Sequence, residues 1–174
     1  MPNSDTHTVG LGGPDPRLCL YTPQCPPLPE YQHLSGYRAA AAGEIPALIA
    51  ASGNHWRKIF SIFAKLYGAL YLPDKRWQEV RDRHLFSAQS RSAWLPHSQL
   101  LPGPQRLHII GGKDFGSAFG PAHSSRTKLD PEGRLEVSGN CIFTPYLDYR
   151  QFPNALIDTL VEHLRDNTTD PSAL

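Results

Sequence analysis

The chain has 174 residues, a formal net charge of +1, 40% hydrophobic residues and 19% charged residues. That length fits one domain able to bury a core without disulfides or metals, and the composition excludes a chain disordered throughout. Near-neutral charge excludes a global electrostatic pull towards nucleic acid or anionic membrane and leaves room only for a local basic patch. Cys19, Cys25 and Cys141 form no C-x-x-C pair and read as reduced thiols of a bacterial cytoplasmic protein. The opening MPNSDTHTVGLGGPDP has neither a cationic n-region nor an apolar core. No run approaches the roughly 18 apolar residues of a membrane span, so no membrane partner is expected.

Residues 1–16 are polar and rich in Gly and Pro, and predict a flexible tail before a single α/β domain over 17–167. Residues 168–174 predict a second tail. Gly10, Gly12 and Gly13 lack the preceding strand and the Lys-Ser/Thr of a phosphate loop. Arg17–Thr22 predicts the first strand, stopped by Pro23. The run QCPPLPEY predicts an extended, polyproline-like strap. Gly43–Pro46 opens a short helix through Ala51, with Pro46 in its first turn and Gly53 at its end.

Asn54 then reads as the N-cap of the clearest helix in the chain, His55 to about Tyr71. Trp56, Ile59, Phe60, Phe63, Leu66, Tyr67 and Leu70 recur at three- and four-residue steps and form its core face. The opposite face carries His55, Arg57, Lys58, Ser61 and Lys65, with no acid. It reads either as a solvated face or as a contact for nucleic acid.

Lys75–Leu85 predicts a short charged helix, with Trp77, Val80 and His84 or Leu85 inward. The segment around Trp94 predicts one helical turn and then irregular chain. Leu107–Ile110 is a continuous apolar run, as in a central strand covered on both faces. Gly111-Gly112 permits a sharp turn, and Lys113–Phe119 predicts a short helix. Residues 121–130 read as a polar loop and Leu135–Val137 as a minor strand. Cys141–Thr144 reads as another apolar strand, ended by Pro145. A last helix opens at Pro153, with Leu156, Ile157, Leu160, Val161 and Leu164 as its stripe. Strands alternating with helices predict an α/β fold: three layers, with a short, mostly parallel central sheet flanked by helices.

In such sheets ligands bind at the carboxyl ends of the strands. Two segments leave strands there. In Gly111-Gly112-Lys113-Asp114 the glycines allow backbone N–H groups to face an anion, and Lys113 adds charge. In Thr144–Arg150, Tyr146 and Tyr149 can stack on a planar ligand, and Asp148 can serve as a base or orient a partner. Arg150 can bind phosphate or carboxylate. Asn54 joins this set from the start of the long helix. The eight histidines carry no metal-ligand spacing. His108, inside a strand, reads as a hydrogen-bonded structural residue. No cofactor motif and no metal site are read from the chain.

The order of these landmarks resembles the uracil-DNA glycosylase-like superfamily, in particular its mismatch-specific branch. Gly53-Asn54-His55-Trp56 is similar to that branch's Gly-Asn-x-Phe-Trp helix start, one residue shorter. Ile110-Gly111-Gly112-Lys113 is similar to its strand followed by Leu-Gly-Lys and a helix. Thr144–Arg150 sits where the family carries its last strand and a proline-containing loop. The resemblance covers residues 50–165, and the chain also looks like bacterial families with no assigned function.

The resemblance implies an enzyme that flips a base and activates water with an Asp or Asn near the first strand. That position should read roughly Gly-x-Asn/Asp-Pro-Gly. Tyr21-Thr22-Pro23-Gln24-Cys25-Pro26 holds no carboxylate, and the last loop lacks the family's Ser or His. The expectation is therefore a glycosylase-like domain that binds a nucleobase, nucleotide or nucleic acid without glycosylase activity. Two alternatives stand beside it. One is an enzyme on a small anionic substrate with Asp148 as base. The other is a structural or protein-interaction domain that uses the proline strap and exposed aromatics.

Overall fold

The computed structural model describes residues 8–96, 100–103, 105–117 and 126–166. Eight strands form one sheet: β1 (Gly10–Gly12), β2 (Leu18–Thr22), β3 (Tyr37–Arg38), β4 (Ser92–Pro96), β5 (Leu107–Gly111), β6 (Thr127–Lys128), β7 (Glu136–Ser138) and β8 (Cys141–Thr144). Their order is β3-β1-β4-β2-β5-β8-β7-β6. The centre, β4-β2-β5-β8, is parallel throughout, and its register sets Tyr21 beside Leu95 and Ile110, and Gly111 beside Thr144. β1 runs antiparallel to β4 and parallel to β3, and β6-β7-β8 is an antiparallel meander. The sheet is mixed around a parallel core, so the α/β expectation holds and the parallel character is concentrated where the strands are most buried.

The helices are α1 (Pro29–Gln32), α2 (Glu44–Ser52), α3 (Asn54–Tyr71), α4 (Trp77–Glu79), α5 (Lys113–Ser117) and α6 (Asn154–Asp166); α4 runs into a π-helical turn at Val80–His84. α3 is the spine of the larger core. Its Trp56 and Phe60 each sit 5.3 Å, ring to ring, from Trp94 of β4. Phe60 and Phe63 are fully buried, as the three- and four-residue spacing requires. α6 lays Leu156, Ile157, Leu160, Val161 and Leu164 into the same core. Gly68 lets the π-helical turn approach α3, since a Cβ there would stand 3.2 Å from Val80 Cγ2.

The other sheet face carries a smaller cluster: Cys19, Tyr21, Ala93, Leu95, Ile110 and Phe143. Phe115 of α5 and Leu101 pack against it. Tyr21 accepts the Leu101 N–H at 3.0 Å, and its hydroxyl meets His108 Nδ1 at 2.8 Å. Burial pushes His108 down to about 4 and the Cys19 thiol up to about 12, as low-dielectric surroundings disfavour charge. The flanking layers are therefore unequal, with most helices on the α3 side.

Four expectations change. Residues 10–16 are not a tail. β1 lies inside the sheet with Leu11 fully buried, and its glycines are needed because a Cβ on Gly10 or Gly12 would collide with Trp94 or Ala93. The segment around Trp94 is not a helical turn but the central strand β4, buried along its whole length. The proline strap ends early: Pro29 starts α1, whose buried Tyr31 donates to Glu44 at 2.8 Å. Gly53, with φ +93°, precedes the first turn of α3, and Asn54 is its first helical residue with no side-chain cap bond. The expected tails at 1–7 and 168–174 lie outside the described residues.

Candidate functional site

Four parallel strands end at one edge, at Thr22, Pro96, Gly111 and Thr144. The strand order reverses about β2, which has β4 on one side and β5 on the other. Such reversals open ligand crevices in α/β sheets. At β2 the Thr22 hydroxyl is already spent: it accepts from Trp94 Nε1 at 3.0 Å and donates to the Gln24 carbonyl at 2.7 Å. A cavity of about 380 Å³ opens one strand further, at the ends of β5 and β8.

Gly112, Lys113, Thr144, Pro145 and Tyr146 line this cavity. Gly112 has φ +106°, so the chain turns sharply out of β5. Its N–H bonds the Thr144 carbonyl at 3.1 Å and completes the ladder instead of facing a ligand. α5 has only five residues, so its dipole is small. Anion affinity at this turn therefore falls on the exposed Lys113 side chain. Gly111 gives space: a Cβ there would stand 2.5 Å from Leu147 Cδ1. Asp114 is exposed on α5 and is not among the lining residues.

The opposite wall comes from the β6–β7 meander, in place of the expected polar loop and minor strand. It brings Arg126, Glu132, Arg134 and Glu136 to the cavity, with Phe143 of β8 below. The signal was present in Asp130-Pro131-Glu132-Gly133, a turn sequence between polar, β-prone flanks. Gly133 sits at φ +70° and closes the turn onto the Asp130 carbonyl at 3.0 Å. Arg126 lies 3.5 Å over the Phe143 ring and donates to the Gly116 carbonyl at 3.0 Å. Arg134 Nε meets Asp130 at 3.2 Å and Glu132 at 3.0 Å. Burial would raise the Asp130 carboxyl, but the Leu135 N–H and Arg134 hold it low.

The rest of the 144–150 segment faces α3. Tyr146 Oη meets His55 Nε2 at 2.6 Å, with the rings 5.4 Å apart. Burial, then the nearby Asp148 charge, raises the Tyr146 phenol. Asp148 accepts the Arg150 N–H at 2.9 Å and pairs with Lys58 at 3.5 Å. That backbone bond, with Lys58, lowers its carboxyl and makes it a weak base. Tyr149 is 44% exposed, with Lys58 and Lys65 Nζ at 5.8 and 5.5 Å from its ring. Lys65 also donates to Asn154 at 3.0 Å. Arg150 is exposed.

The expected site thus divides. Gly112, Lys113 and Tyr146 share the cavity; Asp148, Tyr149, Lys58 and Lys65 form a ledge against α3, and the His55–Tyr146 bond joins the two. Asn54 accepts from Arg57 at 3.2 Å. Arg57 turns to a separate cavity of about 380 Å³ with Pro46, Ile49 and Arg81. A larger cavity of about 550 Å³, between the start of α2 and the chain after its π-helical neighbour, has a mainly apolar lining with Asp82, Arg83, Ser87 and Gln89. Ligands of parallel sheets bind beyond the carboxyl ends of the strands, and of these cavities the one lined by Gly112, Lys113, Thr144 and Tyr146 lies there. Among the described residues no group of His, Cys, Asp or Glu is placed to hold a metal, and no helix is long and apolar enough to cross a membrane.

Fold and site define an α/β protein with a parallel-centred mixed sheet and a polar cavity at its strand ends. The chain belongs to DUF6942, a family of unknown function, which it matches over residues 9–165. The match runs from just before β1 into the last turn of α6. No curated protein and no solved structure matches the chain.

Proposed function

We propose that this chain is a nucleotide-binding protein of glycosylase-like architecture that does not cleave the glycosidic bond. The observation that carries this reading is the meeting of Lys113, Arg126 and Tyr146 in one cavity beyond the ends of β5 and β8. The two cations suit a phosphate, and the half-buried tyrosine ring gives a base a face to lie on. Thr22–Pro26 offers no carboxylate to activate water, which supports binding over hydrolysis. Asp148 is a poor substitute, since Lys58 and the Arg150 N–H already engage it.

Calorimetric titration with nucleoside monophosphates and with inorganic phosphate tests the reading. Lys113→Ala is expected to weaken both by about tenfold, or ~1.4 kcal/mol. Tyr146→Leu is expected to weaken the nucleotide while sparing phosphate. Failure to bind any nucleotide at millimolar concentration, or full affinity in Lys113→Ala, would sink it. A nucleic-acid strand is a second reading, favoured by exposed Tyr149 with two amines near its ring. It requires that Lys58→Ala and Arg150→Ala lower oligonucleotide affinity and its salt dependence.

A further inference from the structure

The cavity has an acidic side as well as a basic one, and the acid bears on which nucleotide it takes; this step rests on the nucleotide reading above. Glu136 of β7 stands opposite Phe143 of β8 in register, and both line the cavity. The other acid there, Glu132, is neutralised by Arg134 at 3.0 Å. Among the described residues the Glu136 carboxylate has no hydrogen bond or ion pair, and the residue is half-buried. Covering such a carboxylate with a ligand is costly unless the ligand brings N–H donors to it.

Position supplies the rest. β5, β8 and β7 are neighbours, so β5 and β7 lie about two interstrand spacings, or ~10 Å, apart across the sheet, and Lys113 follows the end of β5 beyond Ile110, the residue in register with Phe143 and so with Glu136. Tyr146 leaves the middle strand between them. That span suits a nucleoside monophosphate laid with phosphate at Lys113, base against Tyr146 and the Watson–Crick edge at Glu136.

We propose that Glu136 reads the base and selects guanine. Guanine presents N1–H and the N2 amino group side by side, two donors for the two carboxylate oxygens. Hypoxanthine keeps only N1–H. Adenine places the N1 lone pair at that point, so two acceptors face each other and the carboxylate repels it.

The test is titration of the full chain with guanosine, inosine and adenosine 5′-monophosphates and with inorganic phosphate. Guanosine monophosphate is expected to bind about tenfold tighter than the inosine compound and about 100-fold tighter than the adenosine compound. Glu136→Gln is expected to bring the guanosine-to-adenosine ratio to within about threefold while inorganic phosphate binds at least as tightly as to wild type, since a like charge has left the cavity. Equal affinity of wild type for guanosine and adenosine monophosphates, or an unchanged ratio in Glu136→Gln, overturns guanine reading and leaves the nucleotide site standing. Absence of binding by all four probes overturns both.

Discussion

The Glu44 carboxylate joins three elements. It takes two bonds from Arg38, both 2.7 Å, one from Tyr31 at 2.8 Å and one from the Ala41 N–H at 2.8 Å. Residues 31, 38 and 44 thus tie α1, β3 and α2 together, a contact that no local spacing in the sequence announces. The glycine pair at the end of β5 was legible as a turn, but which glycine supplies what was not. Gly112 needs its positive φ, and a Cβ there would meet Tyr146 only at 3.5 Å. Gly112→Ala is expected to cost about 1 kcal/mol through backbone strain alone. Gly111→Ala meets Leu147 and is expected to cost about 1–3 kcal/mol through overpacking. Urea midpoints of the two variants check the order, and equal midpoints would refute the division of roles.

At the scale of elements, α3, α6, β2, β5 and β8 were readable because each carries one strong signal: a helical stripe, or a short apolar run between breakers. β1 and β4 were not. β4 is buried on both faces, so Ser92-Ala93-Trp94-Leu95-Pro96 shows no alternation, and its five residues end in proline. Pro96 is tolerated there as the last strand residue. β1 looked like a tail because its glycines are there for close approach to β4. The difference has a measurable consequence. A Trp94 on a surface turn would tolerate truncation, but Trp94 is fully buried among Trp56, Phe60 and Phe86. Trp94→Ala is expected to cost about 3–5 kcal/mol. Trp77, half-buried beneath Lys65 and Arg81, provides the contrast: Trp77→Ala is expected to cost about 1 kcal/mol. Comparable losses from the two truncations in chemical denaturation would contradict the central placement of β4.

For the whole molecule, the unequal layers show in how stability responds to acid. Two groups on opposite sides of the sheet titrate in different windows. His108 lies on the thinner side and is held neutral, with its value lowered from 6.5 to about 4 by burial. Tyr21 Oη accepts from Leu101 and meets His108 Nδ1 at 2.8 Å, so a charge on the ring would have to sit inside this buried contact. The unfolded chain takes this proton first, so stability falls as pH drops from 6.5 to 4 and the contribution is then exhausted. Glu44, on the α3 side, is lowered from 4.5 to about 2, chiefly by Arg38. Its contribution is complete above 4.5 and is lost as pH falls towards 2. After discounting for solvent screening, the histidine step is worth about 2 kcal/mol and the glutamate step about 1 kcal/mol. Melting temperatures between pH 7 and 3 should therefore fall in two stages. His108→Asn keeps a polar partner for Tyr21 but cannot take up the proton, and is expected to flatten the first stage alone. Glu44→Gln is expected to flatten the second alone, at a lower starting stability. Because Tyr21 also holds Leu101 over the thinner layer, amide exchange at Leu101 is expected to quicken in the first stage, before exchange in α3 changes. A melting temperature level from pH 7 to 4, or loss of α3 protection ahead of Leu101, would mean that the thin face does not yield first.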